Sequence, residues 1–359
     1  MERITSDPKA AWIKLIESQE CINNRYKDIE RIDPNAGDGK FSLVFTATDN
    51  EIKRHKRVVL KFLNPLEGDR YRQQCFHREA DILKDLNGQK NILPLIQEKT
   101  RFELIINGIT FPLYFYSSYL ARFNVRYYIY NGSTNYLTNI LFFREMCKAV
   151  QRIHNKRICH RDLKPGNFLV YGKRYVCLSD FGTARYFGSK ADPILSYYPY
   201  PVGDMRYTAP ELLCGLYFSD YYNYYADIYS LGLILFELFT KVQLGSEIFR
   251  NPERMDLISH FRLVPERNRI EVFDESIESF AKAKDLFSVR MYDDSIPKAI
   301  AQEIDKLYQG MVCLDYRKRE VDFQRIFLRI NICEKVIRNF KKYEKWKKRK
   351  EKKKEGASC

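Results

Sequence analysis

Two short polar segments near the middle of the chain constrain its fold more than any other feature of the sequence. The first reads ICHRDLKPGNFLV over residues 158–170, and the second reads LSDFGTAR over residues 178–185. Their acidic residues, Asp162 and Asp180, lie about 18 positions apart. The two patterns do not occur together, in this order and at this spacing, by chance. They therefore select one class of fold among those open to a chain of 359 residues.

The two segments match the catalytic-loop pattern H-R-D-x-K-x-x-N and the pattern D-F-G of protein kinases. The matching residues are His160, Arg161, Asp162, Lys164 and Asn167, followed by Asp180, Phe181 and Gly182. From about Ile29 to Val336 the chain resembles eukaryotic-type protein kinases, and Lys164 is the serine/threonine-type arrangement. The resemblance implies an α+β, bilobal protein-kinase fold, with a mostly antiparallel sheet in the N-lobe, a helical C-lobe and ATP between them.

The resemblance gives these polar residues roles in phosphoryl transfer, with ATP and Mg²⁺ as cofactors and a protein as substrate. The reaction needs a positioned hydroxyl and neutralised phosphate charge more than covalent help. Asp162 is the candidate base that orients the substrate hydroxyl and accepts its proton, and Lys164 would place a positive charge near the transferred phosphate. Asn167 and Asp180 supply hard oxygen ligands, which suit Mg²⁺.

A glycine-containing turn before the first strands is expected to approach the ATP phosphates. The segment GDGKFSLV (37–44) is similar to the family pattern G-x-G-x-x-G-x-V, with a serine in place of the third glycine. Small residues let backbone N–H groups come close to phosphate oxygens. The candidate nucleotide-binding residues here are Gly37, Gly39, Ser42 and Val44.

A strand lysine and a helix glutamate complete the phosphate site that the resemblance implies. Lys61 ends the V-A-I-K-like segment VVLK (58–61) and is expected to contact the α- and β-phosphates. Glu79, about 18 residues later in a predicted helix, is the leading candidate for its ion-pair partner. Glu103, in a predicted strand region, is the alternative.

The adenine is expected to bind along LYFYSSYLA (113–121), which leads out of the predicted N-lobe. The resemblance implies backbone hydrogen bonds from about Ser118 to Leu120, and it makes Ser117 the residue that guards the pocket behind the adenine. Leu169, at the end of the catalytic loop, is a further candidate contact with the nucleotide.

Matches farther along the chain concern structure and substrate binding. Ala209-Pro210-Glu211 matches the A-P-E pattern, and the resemblance pairs Glu211 with Arg319. Asp227 resembles the buried helix Asp whose carboxylate holds the catalytic-loop backbone. The peptide substrate is expected to lie against the segment 204–211.

One departure from the family bears on activity. The segment GDMRYTAPE (203–211) carries Asp204 where most of these kinases have a threonine that bridges the catalytic Asp and Lys. An acid could still accept a hydrogen bond from Lys164, but it would add negative charge close to Asp162. Two alternatives therefore stay open, a pseudokinase scaffold and a small-molecule phosphotransferase. Only Asp204 supports the first, whereas the A-P-E segment and Arg319 argue against the second.

The resemblance, together with hydrophobic periodicity and composition, implies four parts of the chain. They are an N-terminal helical extension at 1–20, the kinase N-lobe at 21–117, the kinase C-lobe at 118–336 and a basic, Lys-rich tail at 337–359. Much of the formal net charge of +15 lies in the tail, where residues 338–355 include 11 Lys or Arg and 3 Glu. The tail is interpreted as solvated, as a contact for nucleic acid or an anionic membrane surface, or as an autoinhibitory or docking segment.

The sequence also bears on location and regulation. No run of about 18 apolar residues and no signal-type stretch occur, and the nine Cys include no C-x-x-C pair, so the default expectation is a cytoplasmic protein with reduced thiols. The oligomeric state stays open. The segment from Asp180 to Glu211 is rich in hydroxyls, and phosphorylation near 196–200, paired with Arg161, is as well supported as simple packing of the tyrosines.

Overall fold

The computed structural model describes residues 8–32, 42–53, 56–132, 134–172, 174–188, 203–248, 250, 252–261, 263–281 and 287–355. The chain divides into two compact units. The first contains the described residues up to Arg122 and Leu178–Ala184, and the second contains Phe123–Cys177, residues 185–188 and the described residues from Gly203 onward. Within the described residues, no helix combines the length and the apolar character that a membrane span requires.

The first unit is built on one antiparallel sheet of five strands. These are β1 (Tyr26–Arg31), β2 (Ser42–Asp49), β3 (Arg57–Leu63), β4 (Leu95–Ile106) and β5 (Ile109–Tyr119). Their order in the sheet is β1-β2-β3-β5-β4. Phe45 and Leu60 alternate with more exposed neighbours, as the period of two in a strand requires, and they form one apolar core with Phe115.

Two helices accompany this sheet. They are α1 (Pro8–Glu17), which packs Ile13 and Ile16 into the same core, and α2 (Arg70–Asp85). The side chain of Asp69 caps α2 by accepting hydrogen bonds from the N–H groups of Tyr71 and Arg72. This cap fixes where α2 begins, and thereby where Glu79 lies along it.

The second unit is mainly helical. Its helices are α3 (Val125–Tyr130), α4 (Tyr136–Asn155), α5 (Pro210–Leu213), α6 (Asp220–Thr240), α7 (Leu244–Ile248), α8 (Pro252–Phe261), α9 (Arg269–Ala281), α10 (Val289–Tyr292), α11 (Lys298–Met311) and α12 (Phe323–Glu355). Short strands are β6 (Phe123–Asn124), β7 (Ile158–Cys159), β8 (Phe168–Tyr171), β9 (Tyr175–Leu178) and β10 (Arg185–Tyr186). The expected α+β organisation, with antiparallel strands first and helices afterwards, is confirmed.

The sequence of the central helix α6 is largely apolar because the helix is buried. It packs against α4 and α11, so it is buried over most of its length. The end of α11 comes so close to Gly232 that a Cβ atom at this position would lie 2.5 Å from the Val312 side chain. Only glycine allows this approach.

Candidate active site

The first cluster of charged residues lies in the first unit, on the face of β3 that also carries Val59. Lys61 Nζ is 2.6 Å from Glu79 Oε2 and 3.6 Å from Asp180 Oδ1. The predicted pair of Lys61 with Glu79 is thus present. Glu103, the alternative partner, instead pairs with Arg101 on an exposed part of β4.

The side chain of Tyr116 joins this cluster and was not expected from the sequence. Tyr116 lies directly opposite Lys61 in the β3–β5 pairing, and its hydroxyl donates a hydrogen bond to Glu79. Burial alone would lower the pKa of Lys61, but Glu79, Tyr116 and Asp180 together raise it well above its usual range. Burial raises the pKa of Glu79, against the opposing effect of Lys61. The lysine is therefore held as a cation at any ordinary pH.

The backbone of Asp180 has left-handed geometry, with a φ of 66°. Such a conformation is uncommon for a residue with a side chain, although Asp tolerates it better than most. The turn that follows, Phe181–Thr183, is held against α2, because Arg78 Nη1 donates to the Gly182 carbonyl at 2.8 Å and Phe181 is buried. The Asp180 carboxylate itself is 45% exposed, which leaves it accessible to a cation.

Two of the four residues expected near the ATP phosphates can be placed. Ser42 begins β2, and Val44 lies in β2 directly opposite Lys61. Gly37 and Gly39 fall outside the described residues. The placement of Val44 puts it on the same face of the sheet as the charged cluster, because opposite residues in an antiparallel pair share a face.

The end of β5 corrects one expectation about the adenine pocket. Ser118 lies opposite Val59, and therefore on the face that carries Lys61. Ser117 lies opposite Leu60, is buried, and shares a hydrogen bond of 2.8 Å with the hydroxyl of Tyr26. Ser117 thus faces the apolar core and not the face of Lys61, so it is not the guarding residue that the sequence suggested. Leu120 follows β5 directly and is partly exposed.

The second cluster, in the second unit, surrounds Asp162. Its Oδ2 accepts hydrogen bonds from Lys164 Nζ at 2.7 Å and from Asn167 Nδ2 at 3.3 Å, and its Oδ1 accepts one from the Asp204 N–H at 2.8 Å. Asn167 Nδ2 also donates to the Asp162 carbonyl at 2.8 Å. Leu169 follows in β8, opposite Asn124, and is partly buried.

A buried carboxylate, that of Asp227, holds the loop that carries Asp162 in place. Asp227, in α6, accepts hydrogen bonds from the N–H of Arg161 at 2.8 Å and from the N–H of His160 at 2.8 Å. His154, in the last turn of α4, lies 2.9 Å from the same carboxylate through Nε2. Arg161 has a φ of 66°, and these bonds offset the cost of that conformation. The role expected of Asp227 matches these contacts, whereas His154 was not expected.

The segment 203–211 is anchored in two ways. Arg319 donates to both carboxylate oxygens of Glu211, at 2.5 and 3.2 Å, and both side chains are fully buried. The Asp204 carboxylate is held by the guanidinium of Arg206 through Nε at 2.9 Å and Nη2 at 2.5 Å. Arg206 gave no signal in the sequence, because a pair two residues apart in a loop follows no helix or strand period.

Comparisons with known proteins agree with this geometry. The family model of the protein kinase domain matches residues 31–325. The chain belongs to the protein kinase family. The resemblance drawn from its motifs is thereby confirmed, and so is the protein-kinase fold.

Curated relatives come from several organisms. The kinase is 31% identical over 212 residues to a probable serine/threonine-protein kinase of Dictyostelium discoideum, across 59% of this chain and 31% of that protein. It is 27% identical over 309 residues to the probable cyclin-dependent kinase 8 of the same organism, across 78% of each chain. A probable cell division protein kinase of Encephalitozoon cuniculi is 31% identical, across 57% of this chain and 69% of that protein. The chain therefore spans less than a third of the first relative and most of the other two.

Proposed function

We propose that this kinase transfers the γ-phosphate of ATP, with Mg²⁺, to serine or threonine hydroxyls of protein substrates. The observation that carries the proposal is the Asp162 carboxylate, which accepts hydrogen bonds from Lys164, Asn167 and the Asp204 N–H. A carboxylate fixed by three donors offers a defined acceptor for one substrate hydroxyl.

The reaction follows from this arrangement. The substrate hydroxyl donates its hydrogen bond to Asp162 while its oxygen attacks the γ-phosphorus. The bond from that phosphorus to the bridging oxygen of ADP breaks as the phosphate ester forms, and Asp162 takes the hydroxyl proton. Lys164 places its ammonium 2.7 Å from Asp162, where it can stabilise negative charge on the transferred group.

The chain also offers groups that suit a magnesium nucleotide. Lys61, held as a cation, is the candidate for the α- and β-phosphates. The exposed Asp180 carboxylate is a hard ligand that suits Mg²⁺. The Asn167 amide oxygen is another, because the nitrogen of that amide is the atom that bonds to Asp162. Mg²⁺ held by such ligands would neutralise phosphate charge.

Two observations support serine and threonine as acceptors. Lys164 lies two residues after the proposed base, which is the serine/threonine-type arrangement in this family. Two relatives from one organism are described as a probable serine/threonine-protein kinase and a probable cyclin-dependent kinase. The alternative of a pseudokinase rested on Asp204 alone, and the Asp204 carboxylate is paired with Arg206.

Phosphate incorporation from radiolabelled Mg·ATP into a basic protein substrate tests the proposal. Asp162→Asn and Asp180→Asn are each expected to lower kcat by about 10²-fold or more, because each removes a charge that the reaction uses. Asp256→Asn, on the exposed face of α8, is the matched control. Transfer that survives in Asp162→Asn would contradict the role of the base, and phosphotyrosine in the product would contradict the choice of acceptor.

A further inference from the structure

The main chain at Asp204 is fixed on the catalytic loop independently of its side chain. Its N–H donates to Asp162 Oδ1 at 2.8 Å, and its carbonyl accepts from Thr208 Oγ1 at 2.8 Å. The preceding Gly203 has a φ of 91°, and a Cβ atom there would lie 2.5 Å from the Arg161 carbonyl oxygen. This close approach leaves little room for the segment to move away from Asp162.

The side chain of Asp204 brings a second carboxylate near a single lysine. Burial raises the pKa of Asp204, but Arg206 and, to a smaller extent, Lys164 lower it below its usual range. Lys164 therefore lies within electrostatic reach of Asp204 while it donates to Asp162 at 2.7 Å. Two carboxylates that share one cation compete for it, and the protonated amine can rotate between them. An unpaired acid at position 204 would therefore draw Lys164 away from Asp162.

Arg206 satisfies the Asp204 carboxylate instead. Its Nε lies 2.9 Å from Oδ1 and its Nη2 lies 2.5 Å from Oδ2, while its own N–H donates to Oδ1 at 3.1 Å. A bidentate guanidinium fixes the plane of a carboxylate as well as its charge. Nη1 of the same guanidinium reaches Gln243 Oε1 at 3.4 Å, which holds the guanidinium from its far side.

We propose that Arg206 is a positioning residue for the phosphotransfer reaction, which pairs with Asp204 and thereby reserves Lys164 for Asp162. The inference rests on the proposed function of Asp162 and Lys164 and extends it to a pair that replaces the family's threonine. The Asp204 N–H orients Asp162, and Arg206 neutralises the negative charge that the Asp204 side chain adds.

The pair is not expected to act through stability. Arg206 is 40% exposed and Asp204 is 16% exposed, and ion pairs of this exposure contribute little to folding. A purely structural role would also be insensitive to the identity of residue 204 once Arg206 is gone. The proposed role is sensitive to it, because only an acid at 204 competes for Lys164.

The test compares Arg206→Met, Asp204→Thr and the double variant in steady-state transfer to a basic protein. Arg206→Met is expected to lower kcat about tenfold or more while the KM for ATP changes less than about twofold. The double variant is expected to recover kcat to within about threefold of Asp204→Thr, because no acid remains to be paired. Arg317→Met is the matched control, since Arg317 holds Asp315 by the same fork at 2.8 and 3.0 Å in the turn before α12.

Three outcomes separate this inference from the proposed function. An unchanged kcat in Arg206→Met, or a double variant as slow as the single one, overturns the inference and leaves the kinase activity standing. Loss of kcat in Arg317→Met of the same size also overturns it. If the wild-type chain transfers no phosphate, the proposed function fails, and a crystal structure of Arg206→Met then decides. The Asp204 carboxylate bound to Lys164 Nζ would support the inference, and its absence there would overturn it.

Discussion

At the scale of single residues, this kinase holds some of its buried charges in ion pairs. Arg319 and Glu211 are the clearest case, since both side chains are 0% exposed. Removing one partner leaves the other charge buried and uncompensated, which costs about 3–5 kcal/mol. We expect Arg319→Met to lower the free energy of unfolding by about that amount in urea denaturation. Arg250→Met, which breaks an ion pair whose arginine is 76% exposed, is expected to cost less than about 1 kcal/mol. Equal losses in the two variants would contradict the argument.

The hydroxyl of Tyr116 gives a second prediction at this scale. It donates to Glu79 in a buried site, and a hydrogen bond to a charged group contributes about 1.5–3 kcal/mol. Tyr116→Phe should therefore lower the free energy of unfolding by about that amount, as followed by circular dichroism during denaturation. Tyr114→Phe, at a partly exposed position two residues earlier in β5, should change it by less than about 0.5 kcal/mol. A loss at Tyr114 as large as that at Tyr116 would show that the hydrogen bond to Glu79 is not the cause.

The roles of site residues were predictable where a motif prescribes them. They were not predictable where the register of a strand decides which face of the sheet a side chain occupies. The motifs pointed to Lys61, Glu79 and Asp162, and the structure gathers the first two into one cluster. The sequence could not show which of Tyr116 and Ser117 shares a face with Lys61. A shift of one residue in register moves every side chain to the other face, and only the pairing of Lys61 with Tyr116 settles the matter.

At the scale of elements, α12 shows how an apolar stripe can end before its helix does. Phe323, Ile326, Ile330, Cys333 and Ile337 are buried at intervals of three or four residues, and α12 packs through this stripe on α4 and α11. The basic tail predicted from residue 337 onward lies largely within this helix, which continues to Glu355. Lys is a good helix former, so a change in charge does not require a break in the backbone.

This stripe predicts which part of α12 stabilises the kinase. Ile337→Ala is expected to lower the free energy of unfolding by about 2–5 kcal/mol, because it leaves a cavity in a packed interface. Deletion of residues 342–359 should change it by less than about 0.5 kcal/mol, because the described side chains beyond Lys341 are exposed. Thermal denaturation of both variants checks this. A deletion that destabilises as much as Ile337→Ala would mean that the end of the helix is packed.

At the scale of the whole molecule, the distribution of charge matters more than its total. The net charge of the chain is +15. The last part of α12, residues 342–355, alone carries nine Lys or Arg and three Glu. Tyr343 and Trp346 are exposed on the same stretch, with ring centroids 6.0 Å apart. A helix that presents cations and exposed aromatic rings can attract polyanions without reading their sequence.

The last prediction follows from this distribution. Deletion of residues 342–359 should weaken binding to single-stranded RNA of random sequence at least about tenfold at low salt, and should make its salt dependence shallower, because fewer counterions are released. Fluorescence anisotropy over a salt series measures both quantities, and vesicles containing anionic lipid serve as a parallel probe. A full-length variant with Gln in place of six of the lysines in residues 342–355 is the control, since Gln preserves helix propensity while it removes charge. If that variant binds like the full chain, or if the deletion leaves affinity and salt slope unchanged, the charge of the tail does not govern binding. Loss for RNA but not for vesicles would assign the tail to nucleic acid, and the reverse would assign it to an anionic surface.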